Sequence, residues 1–329
     1  MLVLGIETSC DETSMAIYDS KEGIKGSIIS SQIDLHKKFG GVVPEIASRN
    51  HLLKLEEIFL SLLNEAKIDK KDIDLIGVTN APGLIGSLFV GVAFAKGLAY
   101  GLKKPLIPVN HLAAHTLSCE IENPSLKPPY LSFIISGGHT HIYKVDDAYN
   151  FYLLSHTVDD AVGECFDKVA KMMNLPYPGG PEIERLALQG DENKIKFPVA
   201  LKNSVNFSFS GLKTAVLNVL EKNEYSIEDV AASFQFSIFN NFINKLDKII
   251  DKYKLRKITV SGGVSANSYL RNKLSSYYQK KGIELFFPSK RLCTDNGDMI
   301  AYTAYKFFRK RKFMGVKETA YDVMPDITG

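Results

Sequence analysis

The chain has 329 residues, of which 45% are hydrophobic, and a formal net charge of +3. Its length predicts two domains or one large one, and its apolar content is enough for a substantial core. So small a net charge neither requires nor excludes a polyanionic partner. The four cysteines are scattered with no CxxC pair, which predicts reduced thiols in a cytoplasmic protein rather than a disulfide framework.

The apolar segments predict a protein with no membrane association. No basic stretch followed by a long apolar one opens the chain, so we expect no signal peptide. The longest apolar stretch, around residues 84–102, contains Lys96 and several glycines. It predicts a buried helix rather than a membrane span.

The first half of the chain begins with a predicted hairpin. Residues 2–6 and 14–18 are apolar and β-prone, and they flank a turn rich in hydroxyls and carboxylates. Helical spacing of apolar residues then covers 44–66. A short buried strand at 73–78 precedes a helix of small residues that runs to about residue 101. A strand at 106–109 leads directly into a helix that begins at His111.

The second half partly repeats this order after a proline-rich linker, residues 122–129. Strands at 130–135 and 141–145 flank another glycine turn, and strands at 258–260 and 284–287 are followed by helices from about 268 and 297. We therefore expect an α/β protein with lobes at 1–125 and 126–329 around a cleft. In this prediction the final helix can pack against the first lobe.

The most informative motif is His111-Leu-Ala-Ala-His115. Histidines four apart on a helix share one face and reach one ion, as in zinc enzymes. A helical metallopeptidase needs Glu after the first His, where this chain has Leu112. Asp295 is a candidate third ligand, and two His with one carboxylate suit iron(II) or zinc. The alternative is a helix with two partly buried, hydrogen-bonded histidines.

Three glycine pairs, in Ser136-Gly-Gly138, Pro178-Gly-Gly-Pro181 and Ser261-Gly-Gly263, indicate a nucleotide or phosphate site. Glycine turns let backbone N–H groups approach an anion closely. Each alone is compatible with an ordinary turn. No P-loop and no GxGxxG motif is present, which removes the usual support for an NTPase or a dinucleotide-binding protein.

A cluster of carboxylates on one helix face is the next feature. Asp160, Glu164 and Asp167 have helical spacing. They predict either a solvated acidic face or carboxylates that hold a ribose or an amino-acid ligand.

The motifs taken together resemble the bacterial TsaD family of tRNA adenosine threonylcarbamoyltransferases, once labelled O-sialoglycoprotein endopeptidases. The resemblance runs in order through most of the chain: GIETSCDE at 5–12, GGVVPE at 40–45, HLAAH at 111–115, SGGHT at 136–140, YPGGP at 177–181, FSFSGLK at 207–213, GGVSAN at 262–267 and DNG at 295–297. It implies the actin-like/Hsp70-like ATPase (ASKHA) fold, with two related lobes around a ligand cleft.

The resemblance also implies roles for individual residues. It implies one divalent metal, Fe²⁺ first and Zn²⁺ as the alternative, held by His111, His115 and Asp295. Asp11 and Glu12 are our candidates for proton removal or for orienting a metal-bound water. The implied substrate-binding residues are Ile134, Ile135, Ser136, Gly137, Gly138, Asp167, Gly180, Glu184 and Asn267.

The chain departs from the family pattern at three positions near these sites. Glu184 stands where many members have Asp, and a longer carboxylate still accepts both ribose hydroxyls. His141 replaces a usual amide, and Asp298 replaces a usual Ala near the metal. None of the three changes removes a ligand.

The implied reaction transfers a threonylcarbamoyl group from threonylcarbamoyl-AMP to the exocyclic amine of the tRNA adenosine 3′ to the anticodon. The implied partners are tRNA, a paralogous TsaB-type subunit and a TsaE-type ATPase, in the cytoplasm. Three alternatives stay open. A metallopeptidase lacks its Glu, a sugar or acid kinase needs no histidine pair, and a nucleotide-binding scaffold needs no metal group.

Overall fold

The computed structural model describes residues 1–310, which form two compact units. Within the described residues, the first comprises Met1–Ser125 and residues 290–310, and the second comprises Leu126–Ser289. The last described helix therefore belongs to the first unit. The division into lobes at 1–125 and 126–329 stays a prediction, because residues 311–329 lie outside the described part.

The described residues alternate between strands and helices, which confirms the α/β prediction. The strands are β1 (Leu2–Glu7), β2 (Glu12–Asp19), β3 (Gly23–Ser31), β4 (Leu75–Ala81), β5 (Leu106–Asn110), β6 (Tyr130–Ile135), β7 (Thr140–Val145), β8 (Phe151–His156), β9 (Lys257–Ser261) and β10 (Glu284–Phe286). The helices are α1 (Ile33–Lys37), α2 (Pro44–Ala66), α3 (Ile85–Leu102), α4 (His111–Glu122), α5 (Val162–Met172), α6 (Gly179–Ala187), α7 (Ser210–Lys222), α8 (Ile227–Tyr253), α9 (Ser268–Gln279) and α10 (Gly297–Lys310). Short 3-10 helices cover Lys70–Asp72, Gly263–Ala266 and Lys290–Leu292.

The first unit is built on a five-stranded sheet with the order β3-β2-β1-β4-β5. Strand β1 pairs antiparallel with β2 and parallel with β4, and β4 pairs parallel with β5. Parallel strands end at the same edge of a sheet. The residues that follow β1 and β5, from Glu7 and from Asn110, therefore meet at one edge.

Alternate residues of β1 point to opposite faces of this sheet, as the two-residue period of a strand requires. Leu4 and Ile6 join a core cluster with Phe59 of α2 and Ala95 of α3. Val3 belongs to a second cluster, formed with α4 and α10. Helices thus cover both faces of the sheet, and α10 is placed beside the edge at which β1 and β5 end.

Gly5 allows the close approach of α10 to β1. A Cβ atom at this position would lie 2.2 Å from the carbonyl oxygen of Gly297 and 2.4 Å from the backbone nitrogen of Ala301. No side chain fits in that space. The glycine therefore fixes where α10 begins, and with it the position of Asp295 just before that helix.

Helix α3 is buried on one face only, so the prediction of a buried helix is corrected. Leu88, Val92 and Ala95 are buried, whereas Phe89 and Tyr100 are 67% and 89% exposed. Exposed apolar side chains such as Phe89 raise the hydropathy of the helix without adding to its buried face. By length and composition this is the one helix within residues 1–310 that is long and apolar enough to cross a membrane.

The second unit repeats the topology of the first. Its sheet has the order β10-β9-β6-β7-β8, in which β6 pairs antiparallel with β7 and parallel with β9. The repeat predicted from the two hairpins is confirmed. The core contains stacked and edge-on rings, among them Phe133, Phe207 and Phe242. The glycine turns after β6 and β9 meet at one edge of this sheet.

Candidate functional site

The two histidines of the first unit are placed by the start of α4. The side chain of Asn110, the last residue of β5, accepts hydrogen bonds from the backbone N–H groups of Leu112 (2.9 Å) and Ala113 (3.0 Å). Such an N-cap fixes the first turn of a helix. His111 and His115 consequently lie one turn apart, with ring centroids separated by 4.6 Å. Both side chains are buried.

Asp295 reaches these histidines from the segment before α10. Asn296 caps α10 by accepting a hydrogen bond from Met299 N–H at 2.9 Å. Oδ1 of Asp295 lies 3.0 Å from Nε2 of His115 and 3.5 Å from Nε2 of His111. One ligand atom from each of the three residues lies within 4.8 Å of the others, so this group could hold a metal ion.

Glu7 is a fourth member of this site that the sequence reasoning missed. Its Oε2 atom lies 3.1 Å from Nδ1 of His111 and accepts a hydrogen bond from Thr79 Oγ1 at 2.6 Å. The carboxylate is fully buried. The available signal was a carboxylate at the end of an otherwise apolar strand, at the sheet edge where His111 also lies.

The pKa values of the two histidines are shifted in opposite directions. Burial disfavours the imidazolium of His111, but the negative charges of Asp295 and Glu7 outweigh it and raise the pKa of His111 to about 9. Burial lowers the pKa of His115, although Asp295 acts in the opposite direction. His115 is thus ready to donate a lone pair at neutral pH, whereas a metal must displace a proton from His111.

Asp11 and Glu12 lie in the same unit, where β2 begins. The carbonyl oxygen of Asp11 accepts a hydrogen bond from Gln32 N–H at 3.0 Å, and Oε1 of Glu12 accepts one from Ser31 Oγ at 3.2 Å. Burial, followed by the charges of Asp11 and Asp295, holds the pKa of Glu12 well above its usual range. A carboxylate with a raised pKa is a stronger base than an exposed one.

Helix α4 provides no carboxylate beside its first histidine. Leu112 occupies the position of a metallopeptidase base and is 1% exposed in an apolar environment. Asp298, the second residue of α10, is also buried and is bound by both terminal nitrogens of Arg291 at 3.0–3.1 Å. Its carboxylate is therefore engaged in an ion pair.

The turn after β6 has the properties of an anion cradle. Ile134 and Ile135 are buried at the end of the strand, and Ser136 N–H donates to the carbonyl of His139 at 2.8 Å. The amide of Ser136 is therefore already used. Gly137 and Gly138 are exposed, and a Cβ atom at either would meet no described atom within 4 Å.

The remaining predicted ligand residues hold neighbouring helix ends in the second unit. Oδ1 of Asp167 accepts a hydrogen bond from Gly179 N–H at 2.7 Å, just before Gly180. Oε1 of Glu184 accepts one from Ser268 N–H at 2.7 Å. Asn267 caps α9 by accepting a hydrogen bond from Leu270 N–H at 2.8 Å. These contacts bring α6 next to the start of α9.

A cavity of about 680 Å³ lies between α6 and α9. Glu184 is the predicted ligand residue that lines it. The lining residues are Pro181, Glu184, Arg185, Leu188, Ser268, Tyr269, Asn272, Lys273 and Ser276.

The acidic side chains of α5 and of the residues just before it belong to an ion-pair network. Lys168 Nζ lies 2.9 Å from Asp160 Oδ2 and 2.8 Å from Glu164 Oε1, and Lys213 also pairs with Asp160. Of the three carboxylates singled out from the sequence, Asp167 is the one that contacts the glycine turn before α6.

Comparison with known sequences gives a consistent result. The family model described as tRNA N6-adenosine threonylcarbamoyltransferase matches residues 23–302. A protein of that name from Thermosipho melanesiensis is 48% identical over 330 residues, which cover 99% of both chains. Another, from Clostridium beijerinckii, is 48% identical over 311 residues and 92% of both chains.

Solved structures with low sequence identity share the fold. T. kodakarensis HypF superposes with a TM-score of 0.67 at 15% identity, over 96% of this chain and 49% of HypF. Component A of the (R)-2-hydroxyglutaryl-CoA dehydratase of Acidaminococcus fermentans has a TM-score of 0.57 at 15% identity, over 93% and 98%. The predicted actin-like/Hsp70-like ATPase fold is confirmed.

Proposed function

The chain belongs to the TsaD family and is a tRNA N6-adenosine threonylcarbamoyltransferase, and on that premise we propose that His111, His115 and Asp295 hold a divalent metal needed for transfer. The observation that carries this proposal is the convergence of three ligand atoms within 4.8 Å. We propose Fe²⁺ first and Zn²⁺ as the alternative, since two histidines and one carboxylate with open positions suit both.

The residues present fit such an ion. Nε2 of each histidine lies beside Oδ1 of Asp295, and Nδ1 of His111 lies beside Glu7, an arrangement common around metal-bound histidines. When bound, the ion supplies a Lewis acid that polarises the carbamoyl carbonyl.

The reaction needs an activated acyl group, because the amine is a weak nucleophile whose lone pair is delocalised into the adenine ring. N6 attacks the carbamoyl carbon, the bond from that carbon to the phosphate oxygen breaks, AMP leaves, and N6 loses one proton. We propose that the free amides of Gly137 and Gly138 stabilise the negative charge that develops on oxygen. The N–H group of Ser136 already donates to the carbonyl of His139, so it stabilises the turn and does not bind the substrate oxygen.

We propose that the adenylate is bound by the second unit. The turn at Ser136–Gly138 and the start of α6 at Gly180 offer backbone close to an anion. The carboxylate of Glu184 is placed on the cavity wall and is suited to accept hydrogen bonds from ribose hydroxyls. Asp167 and Asn267 hold the helix ends in position, and Ile134 and Ile135 support the turn.

Glu12 is our first candidate for the group that accepts the N6 proton, with Asp11 as the second. The raised pKa of Glu12 makes its carboxylate more basic than an exposed one. It acquires this basicity from its burial and from the charges of Asp11 and Asp295. The proton can leave through Ser31, whose hydroxyl contacts Glu12.

We propose that a TsaB-type subunit and a TsaE-type ATPase act with this chain in the cytoplasm. Support for a protein partner comes from α2 and α3, where Leu52, Leu53 and Phe89 are 67–75% exposed. Clustered exposed apolar side chains mark interaction surfaces. The metallopeptidase, kinase and scaffold alternatives gain no supporting observation from the site.

The metal proposal is tested by replacing each histidine. His111→Ala and His115→Ala should each lose most bound metal and most transfer activity, while circular dichroism shows an intact fold. Metal content is measured by mass spectrometry after purification with excess Fe²⁺ or Zn²⁺. His156→Ala, a half-buried histidine of the second unit, is the matched control and should keep its metal. Full metal occupancy in a His111→Ala/His115→Ala protein contradicts the assignment.

A further inference from the structure

The segment of residues 32–43, which contains α1 and the glycine pair Gly40-Gly41, has no role in the site described so far. It is anchored at its start by a backbone hydrogen bond to Asp11, and the buried side chain of His36 holds the end of the segment through Val43. Gln32 is buried and donates its N–H to the carbonyl of Asp11 at 3.0 Å, and His36 is buried and accepts a hydrogen bond from Val43 N–H at 3.2 Å. The residues between these anchors are therefore presented from a fixed base.

An aromatic ring and two cations are exposed between the anchors. Phe39 is 58% exposed, and Lys37 and Lys38 before it are exposed as well. Neither lysine forms an ion pair with any residue in the range 1–310. The backbone here forms a hydrogen-bonded turn, in which Phe39 N–H donates to the carbonyl of His36 at 2.9 Å. A large exposed apolar side chain therefore directly follows two lysines that form no ion pair within residues 1–310.

The segment begins beside the candidate proton acceptor. Ser31, the last residue of β3, donates its hydroxyl hydrogen to Oε1 of Glu12 at 3.2 Å and is paired with Glu12 across the strands. Phe39 follows Ser31 by eight residues, five of them helical. Its backbone thus lies within about 18 Å of Ser31, since a helical residue advances the chain less than half as far as an extended one.

The chemistry of this surface matches single-stranded nucleic acid. Proteins bind single strands by stacking bases on aromatic rings while cations follow the phosphates, and they read RNA mainly at loops whose bases are unstacked. A protein interface would instead have few charges at its centre. Asp34 is the one acidic residue within the segment, so the cations dominate its charge.

We propose that Phe39 stacks on a base of the tRNA anticodon loop, while Lys37 and Lys38 contact neighbouring phosphates. This surface positions the loop so that its target adenosine reaches the site at Asp11 and Glu12. The inference rests on the tRNA transferase function and adds to it the element that holds the RNA. The metal ligands have no part in it.

The test compares variants in the complete transfer reaction, with partner proteins, saturating threonylcarbamoyl-AMP and varied tRNA. Phe39→Ala should raise the KM for tRNA roughly tenfold, in line with the loss of one stacked base. The KM for threonylcarbamoyl-AMP, the metal content and the melting temperature should stay unchanged. Phe39→Tyr keeps an aromatic ring and should restore the KM, a rescue that a purely structural role of the loop would not require.

The role of the lysines is tested by measuring how the reaction depends on salt concentration. The slope of log(kcat/KM) for tRNA against log of salt concentration should become shallower by about 1.4 in Lys37→Ala/Lys38→Ala, since each single-strand phosphate contact contributes about 0.7. Lys70→Ala/Lys71→Ala removes two exposed, adjacent lysines of the same unit and is the matched control, with an unchanged slope. Tyr100→Ala is the matched control for an exposed aromatic ring.

A series of tRNAs with one abasic position in the anticodon loop identifies the stacked base. Loss of that base should raise the KM of the unmodified enzyme and have no further effect on Phe39→Ala. An unchanged KM for tRNA in Phe39→Ala overturns the proposal while the transferase function stands. Loss of partner-protein binding in Phe39→Ala, with tRNA affinity retained, also overturns it. Absence of tRNA labelling by the unmodified enzyme would remove the function itself.

Discussion

Oε2 of Glu7 lies 3.1 Å from Nδ1 of His111, and both side chains are buried at the edge where β1 and β5 end. With a proton on Nδ1, the lone pair of Nε2 is directed to the side of the ring where Asp295 lies. The carboxylate therefore sets the tautomer and the orientation of a metal-binding imidazole.

Replacing Glu7 with Gln should weaken metal binding without unfolding the chain. The amide is nearly isosteric but lacks the charge, so we expect a dissociation constant about 10–100 times higher, measured by competition with a chelator. Glu120→Gln is the control, because Glu120 is an equally buried carboxylate of the same unit that binds Tyr302 and Lys306 instead. Equal metal affinity in Glu7→Gln and the unmodified chain would mean that Glu7 serves packing alone.

The two glycines after β9 should differ in what they support. Gly262 has φ +90° and a Cβ there would lie 2.5 Å from the carbonyl oxygen of Ile135, whereas Gly263 has open space. Gly262→Ala should therefore cost roughly 1–3 kcal/mol of stability. Gly263→Val should keep its stability and bind the adenylate about tenfold more weakly, or about 1.4 kcal/mol. Calorimetric titration with an adenylate analogue measures this, and unchanged affinity would make the turn purely structural.

His141 should make the protein sensitive to acid. Burial, and then the charge of His156 on the paired strand, lowers the pKa of His141 to about 4. Between pH 6.5 and 4 the unfolded chain binds the proton and the folded chain does not, so stability falls as the pH falls through this window. The loss amounts to at most about 3 kcal/mol and is absent above pH 6.5. His141→Gln should remove it, which denaturant titrations at pH 7, 5 and 4 would reveal; parallel curves for both proteins contradict the assignment.

The buried carboxylate of Asp298 should depend on Arg291. Three hydrogen bonds at 3.0–3.1 Å join the two side chains, and Ser27 Oγ donates a further one at 2.5 Å. Arg291→Ala leaves a buried charge uncompensated and should cost about 3 kcal/mol, at the low end for buried pairs because the arginine is half-exposed. Adding Asp298→Ala should recover part of this loss. Chemical denaturation of Arg291→Ala, Asp298→Ala and the double variant tests this prediction. If the losses of stability in the two single variants simply add in the double variant, the pair is not coupled.

Elements with a clear apolar period were predictable, and elements stabilised by buried polar groups were not. The strands at residues 2–6, 130–135 and 258–260 are confirmed because each is a continuous apolar run between turn residues. Helix α8 had no prediction, although it is the longest helix within residues 1–310. Lys245, in its middle, is 1% exposed and donates to the carbonyl of Ser204 at 2.6 Å. A sequence pattern treats such a lysine as exposed and so loses the helical period.

For the candidate site, too, the sequence predicted local features but not long-range contacts. The spacing of His111 and His115 is local, and their common helix face follows from helix geometry alone. The pairing of Glu7 with His111 joins residues 104 positions apart. It depends on the parallel order of β1, β4 and β5, which no local pattern specifies. The roles of Asp11, Glu12 and the residues of the glycine turns remain proposals.

The most direct test is a transfer reaction that contains labelled threonylcarbamoyl-AMP, unmodified tRNA and the partner proteins. It is run once with the metal-loaded chain and once with its His115→Ala variant. A tRNA with guanosine in place of the target adenosine is the control. We predict that the loaded chain labels the adenosine tRNA and releases one AMP per label, whereas the variant and the guanosine tRNA give almost no label. Equal labelling of the guanosine tRNA, or undiminished labelling by a metal-free His115→Ala protein, would contradict metal-dependent transfer to the adenosine amine.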